Sequence, residues 1–128
     1  MINSPYEKYR QSSVNTSTPA QLLIMLFDGA IRFVRAGIEG IDAVNHQKAN
    51  LNLGKAQLII SELMSTLNPS YEISKSLLSL YEYINYLLIQ ANVKKEKSHA
   101  EEALGYLTEF RLTWMEASKM PVNDNTHG

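Results

Sequence analysis

Thr18-Pro19-Ala20-Gln21-Leu22-Leu23-Ile24-Met25-Leu26-Phe27-Asp28-Gly29-Ala30-Ile31-Arg32-Phe33-Val34-Arg35-Ala36-Gly37-Ile38-Glu39-Gly40-Ile41 opens a helix and then wraps it in apolar residues. Its first four residues have the form of a capping box. The Thr18 hydroxyl can accept from a free backbone N–H, Gln21 can reach back, and Pro19 has no N–H to leave unpaired. At about 100° per residue, apolar and small side chains then cover roughly 240° of the circumference, whereas one core-facing stripe needs only about 100°. Asp28, Arg32, Arg35, Glu39 and Asp42 are confined to the remaining arc. The spacings Asp28 to Arg32 and Arg35 to Glu39 suit pairing along the helix. Such a helix is covered on two sides.

Working outward, the four prolines fall at positions 5, 19, 69 and 121 and leave intervals long enough for helices. The first helix is expected to reach about Asn45, where Asn-His-Gln breaks the apolar period. A second covers roughly Gln47 to Leu67, with Ala49, Leu53, Ala56, Ile60, Leu63 and Leu67 on one stripe, and Asn68-Pro69-Ser70 ends it. A third runs from Ile73 or Ser74 to Val93. Ser98-His99-Ala100-Glu101 reads as a second capping box, opening a fourth helix that reaches about Met120 with Ala103, Leu107, Phe110, Trp114 and Ala117 in line. Short polar links favour antiparallel neighbours, and no segment alternates with period two. The reading is all-α: an antiparallel up-and-down four-helix bundle over residues 18–120. A short segment, residues 1–17, precedes it, and residues 121–128 follow as a polar tail expected to be disordered.

Composition removes several function classes. The chain of 128 residues is one domain in size, and without cysteine it has no disulfide, thiolate metal site or cysteine nucleophile. Its formal net charge of −1, with both signs interspersed, offers no basic field for nucleic acid. The N-terminus lacks the basic start and apolar run of a signal peptide, and Leu22 to Phe27 is far shorter than the ~20 residues that span a bilayer. The expectation is a cytoplasmic protein that does not insert into membranes. A di-iron bundle would need Glu-x-x-His twice, plus two further inward carboxylates. Glu96 and His99 match that spacing once, across the start of the fourth helix, while His46 and His127 fall in a link and in the tail. Glu101 and Glu102 are adjacent, point about 100° apart on a helix and cannot act as an acid–base pair; they read as charges favourable near a helix N-terminus. Gly29, Gly37 and Gly40 lie within an apolar helical pattern and make no phosphate loop. No catalytic, cofactor or metal site is expected, and no enzyme.

The surplus of apolar surface points elsewhere. Between Ser76 and Val93 the only charge is Glu82. Leu77, Leu80, Tyr81, Ile84, Leu87, Leu88 and Ala91 account for a core face, which leaves Leu78, Tyr83, Tyr86 and Ile89 at the sides or back. Leu51 and Leu58 lie opposite the core stripe of the second helix. Surfaces rich in Tyr and Leu and poor in charge bind proteins, and grooves of this kind receive helices. A homodimeric structural or adaptor bundle would leave the same signature, so the chain is expected to be a monomer or a weak homodimer.

The order of its motifs adds a resemblance. Pro5-Tyr6-x-x-Tyr9, Val14-x-Thr16-x-x-Pro19, Leu23-Ile24-Met25-Leu26-Phe27-Asp28-Gly29-Ala30-Ile31, Lys55-Ala56-Gln57-x-Ile59-Ile60-x-Glu62-Leu63, Leu80-Tyr81-x-Tyr83, Ala91-Asn92 and Phe110-Arg111-x-x-Trp114 follow one another over nearly the whole chain. In this the sequence resembles the FliS family of flagellin-export chaperones, with Phe27 where that family often has tyrosine. The resemblance implies a bundle that binds the disordered C-terminal segment of flagellin as helices around its surface. Binding of this kind keeps flagellin from polymerising in the cytoplasm and presents it to the flagellar type III export apparatus. It also implies that the N-terminal segment is a movable cap over a hydrophobic groove, with Tyr6 and Tyr9 as anchors. The residues expected to form cap and groove are Tyr6, Tyr9, Val14, Met25, Leu51, Leu58, Leu78, Tyr83, Tyr86 and Ile89.

Overall fold

The computed structural model describes residues 19–119 and contains four helices: α1 (Pro19–Asp42), α2 (His46–Ser65), α3 (Glu72–Lys94) and α4 (Lys97–Lys119). Each helix packs against two others, α1 and α3 both lying between α2 and α4, so the four stand at the corners of a square. Cross-helix pairs fix the directions. Lys97 pairs with Asp42 and Arg111 with Asp28, so α4 runs against α1. Tyr83 reaches Glu102 while Leu80 lies beside Phe110, which sets α3 against α4. The bundle is up-and-down and antiparallel, the architecture expected from the short links. The expected cap segment, Thr18 and the tail lie outside the described residues. Among the described residues no helix is long and apolar enough to cross a membrane.

The expected stripes make the core. Leu53, Ala56, Ile60 and Leu63 of α2, Tyr81, Ile84, Leu87, Leu88 and Ala91 of α3, and Ala103 and Leu107 of α4 are buried around Phe27, Ala30 and Val34 of α1. The Phe110 ring stacks on Phe27 with centroids 5.8 Å apart and lies 5.7 Å from Tyr81, which joins α1, α3 and α4 through three aromatic rings. Burial weakens along α4. Phe110 and Trp114 are only partly buried, and Ala117, expected on the same stripe, is exposed near the end of the bundle where fewer neighbours surround the helix.

The ends of the helices differ from expectation at three places. First, α1 stops at Asp42 and not at Asn45, because Val44 takes a left-handed conformation at φ 53°. The Asn45 N–H then donates to the Gly40 carbonyl at 2.7 Å and the Val44 N–H to that of Ile41 at 3.1 Å, a Schellman closure with valine where glycine is usual. A side chain in that conformation costs roughly 1–2 kcal/mol, and with valine at the position no glycine marks the boundary in the sequence. Asn45 at once caps α2, its Oδ1 accepting from the Lys48 N–H at 3.0 Å. Second, α4 begins at Lys97, so Ser98 lies inside the first turn and does not cap as expected. Lys95, at φ 55°, reverses the chain early, and its Nζ holds the turn by donating to the Asn92 Oδ1 at 3.0 Å and the Asn50 Oδ1 at 2.7 Å. Third, α2 closes at Ser65, short of Leu67.

The charges of α1 are also used differently. Spacing pairs Asp28 with Arg32 and Arg35 with Glu39 along the helix; in the structure Asp28 accepts from Arg111 of α4, and Glu39 from Lys48 of α2 at 3.1 Å. Both pairs tie α1 to a neighbour, and the alignment that permits this is tertiary.

The glycines of α1 explain how it can be covered so closely. A methyl group added at Gly37 would stand 2.6 Å from Leu53 Cδ2, and at Gly40 2.6 Å from the Ala49 backbone nitrogen. At Gly105 of α4 it would meet nothing within 4 Å. Gly40→Ala is therefore expected to destabilise the fold by about 2–3 kcal/mol, since backbone cannot step aside, whereas Gly105→Ala should stabilise it by about 1 kcal/mol through helix propensity. Urea unfolding of the two variants checks both signs. The Tyr81 phenol gives a separate test, because burial pushes its pKa up to about 12. Below pH 10 it is protonated in folded and unfolded chains alike. Between pH 10 and about 12 the unfolded chain releases a proton that the folded chain retains, so stability falls as pH rises, by about 2–3 kcal/mol in all. Tyr81→Phe should remove that share of the loss in unfolding curves measured across the same range.

Candidate protein-binding surface

The sides of the bundle carry large apolar residues that no helix covers. Leu51 and Leu58, two turns apart on α2, are 55% and 62% exposed, and the Gly54 backbone between them is open to solvent. On α3, Leu78 and Ile89 are each 39% exposed and share one flank, being eleven residues and thus close to three full turns apart. Leu78 shows which flank this is, because it lines a recess of about 230 Å³ with Met64 in the last turn of α2 and Leu67 just beyond it. Pro69, Ser74 and Lys75 complete its wall. Ser74 is buried there, donating to the Asn68 carbonyl at 2.5 Å, so the recess has a fixed polar floor beneath an apolar mouth.

Tyr83 and Tyr86 belong to a different place. The Tyr83 hydroxyl donates to Glu102 of α4 at 2.9 Å, its ring meets Tyr106 edge-on at 6.1 Å, and the Tyr86 ring stacks on it at 6.2 Å. The Tyr106 hydroxyl also approaches the same Glu102 oxygen, at 3.4 Å. The bond to Glu102 raises the Tyr83 pKa, with lesser contributions from desolvation and from the Glu102 charge. Residues expected to act together are thus divided: Leu51, Leu58, Leu78 and Ile89 serve α2 and the side of α3 toward it, while Tyr83, with Tyr86 stacked upon it, faces the seam with α4. Met25 of α1 is partly buried, and Tyr6, Tyr9 and Val14 lie outside the described residues.

Sequence reasoning missed several members of this surface. Glu102 appeared as a charge favourable at a helix start, yet it is the acceptor that joins Tyr83 to Tyr106. Tyr71, Ile73, Val93 and Leu112 are more than half exposed and were not singled out. Leu112 could have been found, since it lies opposite the stripe of Ala103, Leu107 and Phe110. Among the described residues, Glu96 and His99 included, no three His, Asp or Glu side chains gather as possible metal ligands.

Apolar side chains held in place by a rigid bundle can bind another chain. The comparisons with known proteins agree with this chemistry. Residues 1–121 match the family model described as flagellar protein FliS. The chain is 41% identical over 127 residues to the flagellar secretion chaperone FliS of Bacillus subtilis (strain 168), covering 99% of this chain and 95% of that protein. It is 36% identical over 114 residues to the protein of the same name in Salmonella typhimurium, covering 84% and 82% of the two chains. To that of Escherichia coli (strain K12) it is 32% identical over 115 residues, covering 87% and 84%. With the four-helix architecture and an extended family match, this chain belongs to the FliS family of flagellar secretion chaperones.

Proposed function

We propose that the chain is a cytoplasmic, non-catalytic export chaperone that binds the disordered C-terminal segment of flagellin, prevents its premature polymerisation and supports flagellar type III secretion. The observation that carries this reading is the set of uncovered anchors on α2 and α3, in a family whose relatives are named flagellar secretion chaperones. Leu51 and Leu58 repeat every two turns, and Leu78 and Ile89 every three. A ligand helix with apolar residues at i, i+3, i+4 and i+7 meets such rows. Segments that assemble through apolar helical faces would otherwise adhere to one another, and the chaperone supplies a substitute face. An exposed groove of this kind needs protection when empty. Residues 1–17, with Tyr6 and Tyr9, are suited to this as a tethered cover of high effective concentration, with Val14 and Met25 near its junction with α1.

Titration with the flagellin C-terminal peptide of the same organism tests the reading. The dilute protein should be mainly monomeric and bind the peptide. Leu58→Glu with Leu78→Glu should weaken binding at least about tenfold while circular dichroism is unchanged. A tight homodimer that uses these leucines and ignores the peptide would instead identify a self-assembling bundle. The cover is tested by deleting residues 1–13, which should leave the bundle folded and raise dye binding or self-association. Competition for the groove predicts tighter peptide binding after deletion, and clamping of the ligand predicts weaker binding. An unfolded truncation, or a folded one with unchanged dye binding, association and peptide kinetics, would sink the cover.

A further inference from the structure

A second surface differs in chemistry from the leucine rows. Glu102, Glu109 and Glu116 repeat every seven residues on α4, which places them on one flank about 10 Å apart. That flank is the seam with α3, because Glu102 accepts from Tyr83 and because Glu109 lines a recess of about 180 Å³ with Leu80, Tyr106, Phe110 and Thr113. All three glutamates are exposed, and none has an ion-pair partner: the cross-helix ion pairs of the described residues use Asp28, Glu39 and Asp42. Alongside Glu102 to Glu116 the facing side of α3 contributes Ser76, Leu80, Tyr83 and Tyr86, while Lys94, five turns from Ser76 on that face, stands at the other end of the helix, toward the start of α4. The seam is therefore an apolar and aromatic trough with an unbroken acidic edge.

We propose that this trough is a docking site for a basic amphipathic helix of a partner protein. Its arginines, one every two turns, would meet Glu102, Glu109 and Glu116, and an aliphatic side chain between two of them would enter the recess beside Phe110. The spacing favours a helix, whose seven-residue repeat matches that of α4 when the two lie side by side. Glu102 favours arginine over lysine. One of its oxygens is occupied by Tyr83 and Tyr106, which orients the carboxylate and leaves the other for a guanidinium, while the exposed Tyr83 and Tyr86 rings offer faces for that planar cation. The site does not depend on which ligand the α2 and α3 leucines hold.

The probe is a fluorescent alanine-based helical peptide of about twenty residues with arginine every seventh residue and leucine between, compared with the same peptide carrying glutamate for arginine. With the full chain, fluorescence anisotropy should show binding of the arginine peptide, weakened by salt, and none of its acidic counterpart. Joint Glu102→Gln, Glu109→Gln and Glu116→Gln should weaken binding about tenfold, and Thr113→Arg, at an exposed position of the recess, should weaken it as well. Leu58→Glu should leave it unchanged. Equal binding of both peptides, or full binding by the glutamine variant, would overturn the proposal. So would chemical-shift changes that follow the α2 leucines and spare Tyr106 and Thr113. A peptide that drives self-association of the chain, with no complex of its own, would assign the trough to a second copy and equally reject a basic helix.

Discussion

The close approach of α1 to α2 is the constraint on which the rest of the structure depends. Gly37 lies against the Leu53 side chain and Gly40 against the Ala49 backbone, with no room for a methyl group at either. The three-residue link finishes α1 and caps α2 through the same Asn45, so the two helices are placed in direction and depth by a few bonds. Once they are joined, Phe27, Ala30 and Val34 of α1 face the space that α3 and α4 must fill. Tyr81 and Phe110 fill it from the far corners.

Economy of core has a consequence at the surface. A four-helix bundle of this size buries one stripe from each helix, and α2 and α3 carry more apolar residues than one stripe holds. The remainder stands on rigid elements whose positions are set by the core, so the surface it makes is preformed, and under the proposed function little ordering of the bundle would oppose binding. The molecule is thereby held together by one set of leucines and presents another. The two sets can be separated by burial, since Leu53, Leu87 and Leu88 are inaccessible while Leu51 and Leu58 are more than half exposed.

Electrostatics divides the exterior further. Asp28, Glu39 and Asp42 are consumed in pairs that join helices, and each is partly exposed and of modest individual worth. Glu102 and Glu109 of α4 are in none of these pairs and stand beside tyrosines. One small bundle thus presents a leucine-rich side of nearly neutral character and a tyrosine-rich seam with an acidic edge.

The sequence by itself determined the helices, their stripes, the up-and-down antiparallel order and the existence of surplus apolar faces, because these follow from periodicity and link length, which are local. Leu78, Tyr83, Tyr86 and Ile89 were excluded from the core face of α3 by angle alone, and they are exposed. The tertiary structure decided what depends on how one helix lies against another. It gave Asp28 to Arg111 in place of Arg32, and set Gly37 and Gly40 at a close contact where the sequence showed only small residues in an apolar pattern. It also separated Tyr83 from Leu78 by placing Glu102 and Tyr106 opposite one and Met64 opposite the other. No spacing within a single helix encodes these choices: the partners lie on different helices, and their distance is set by packing and not by position along the chain.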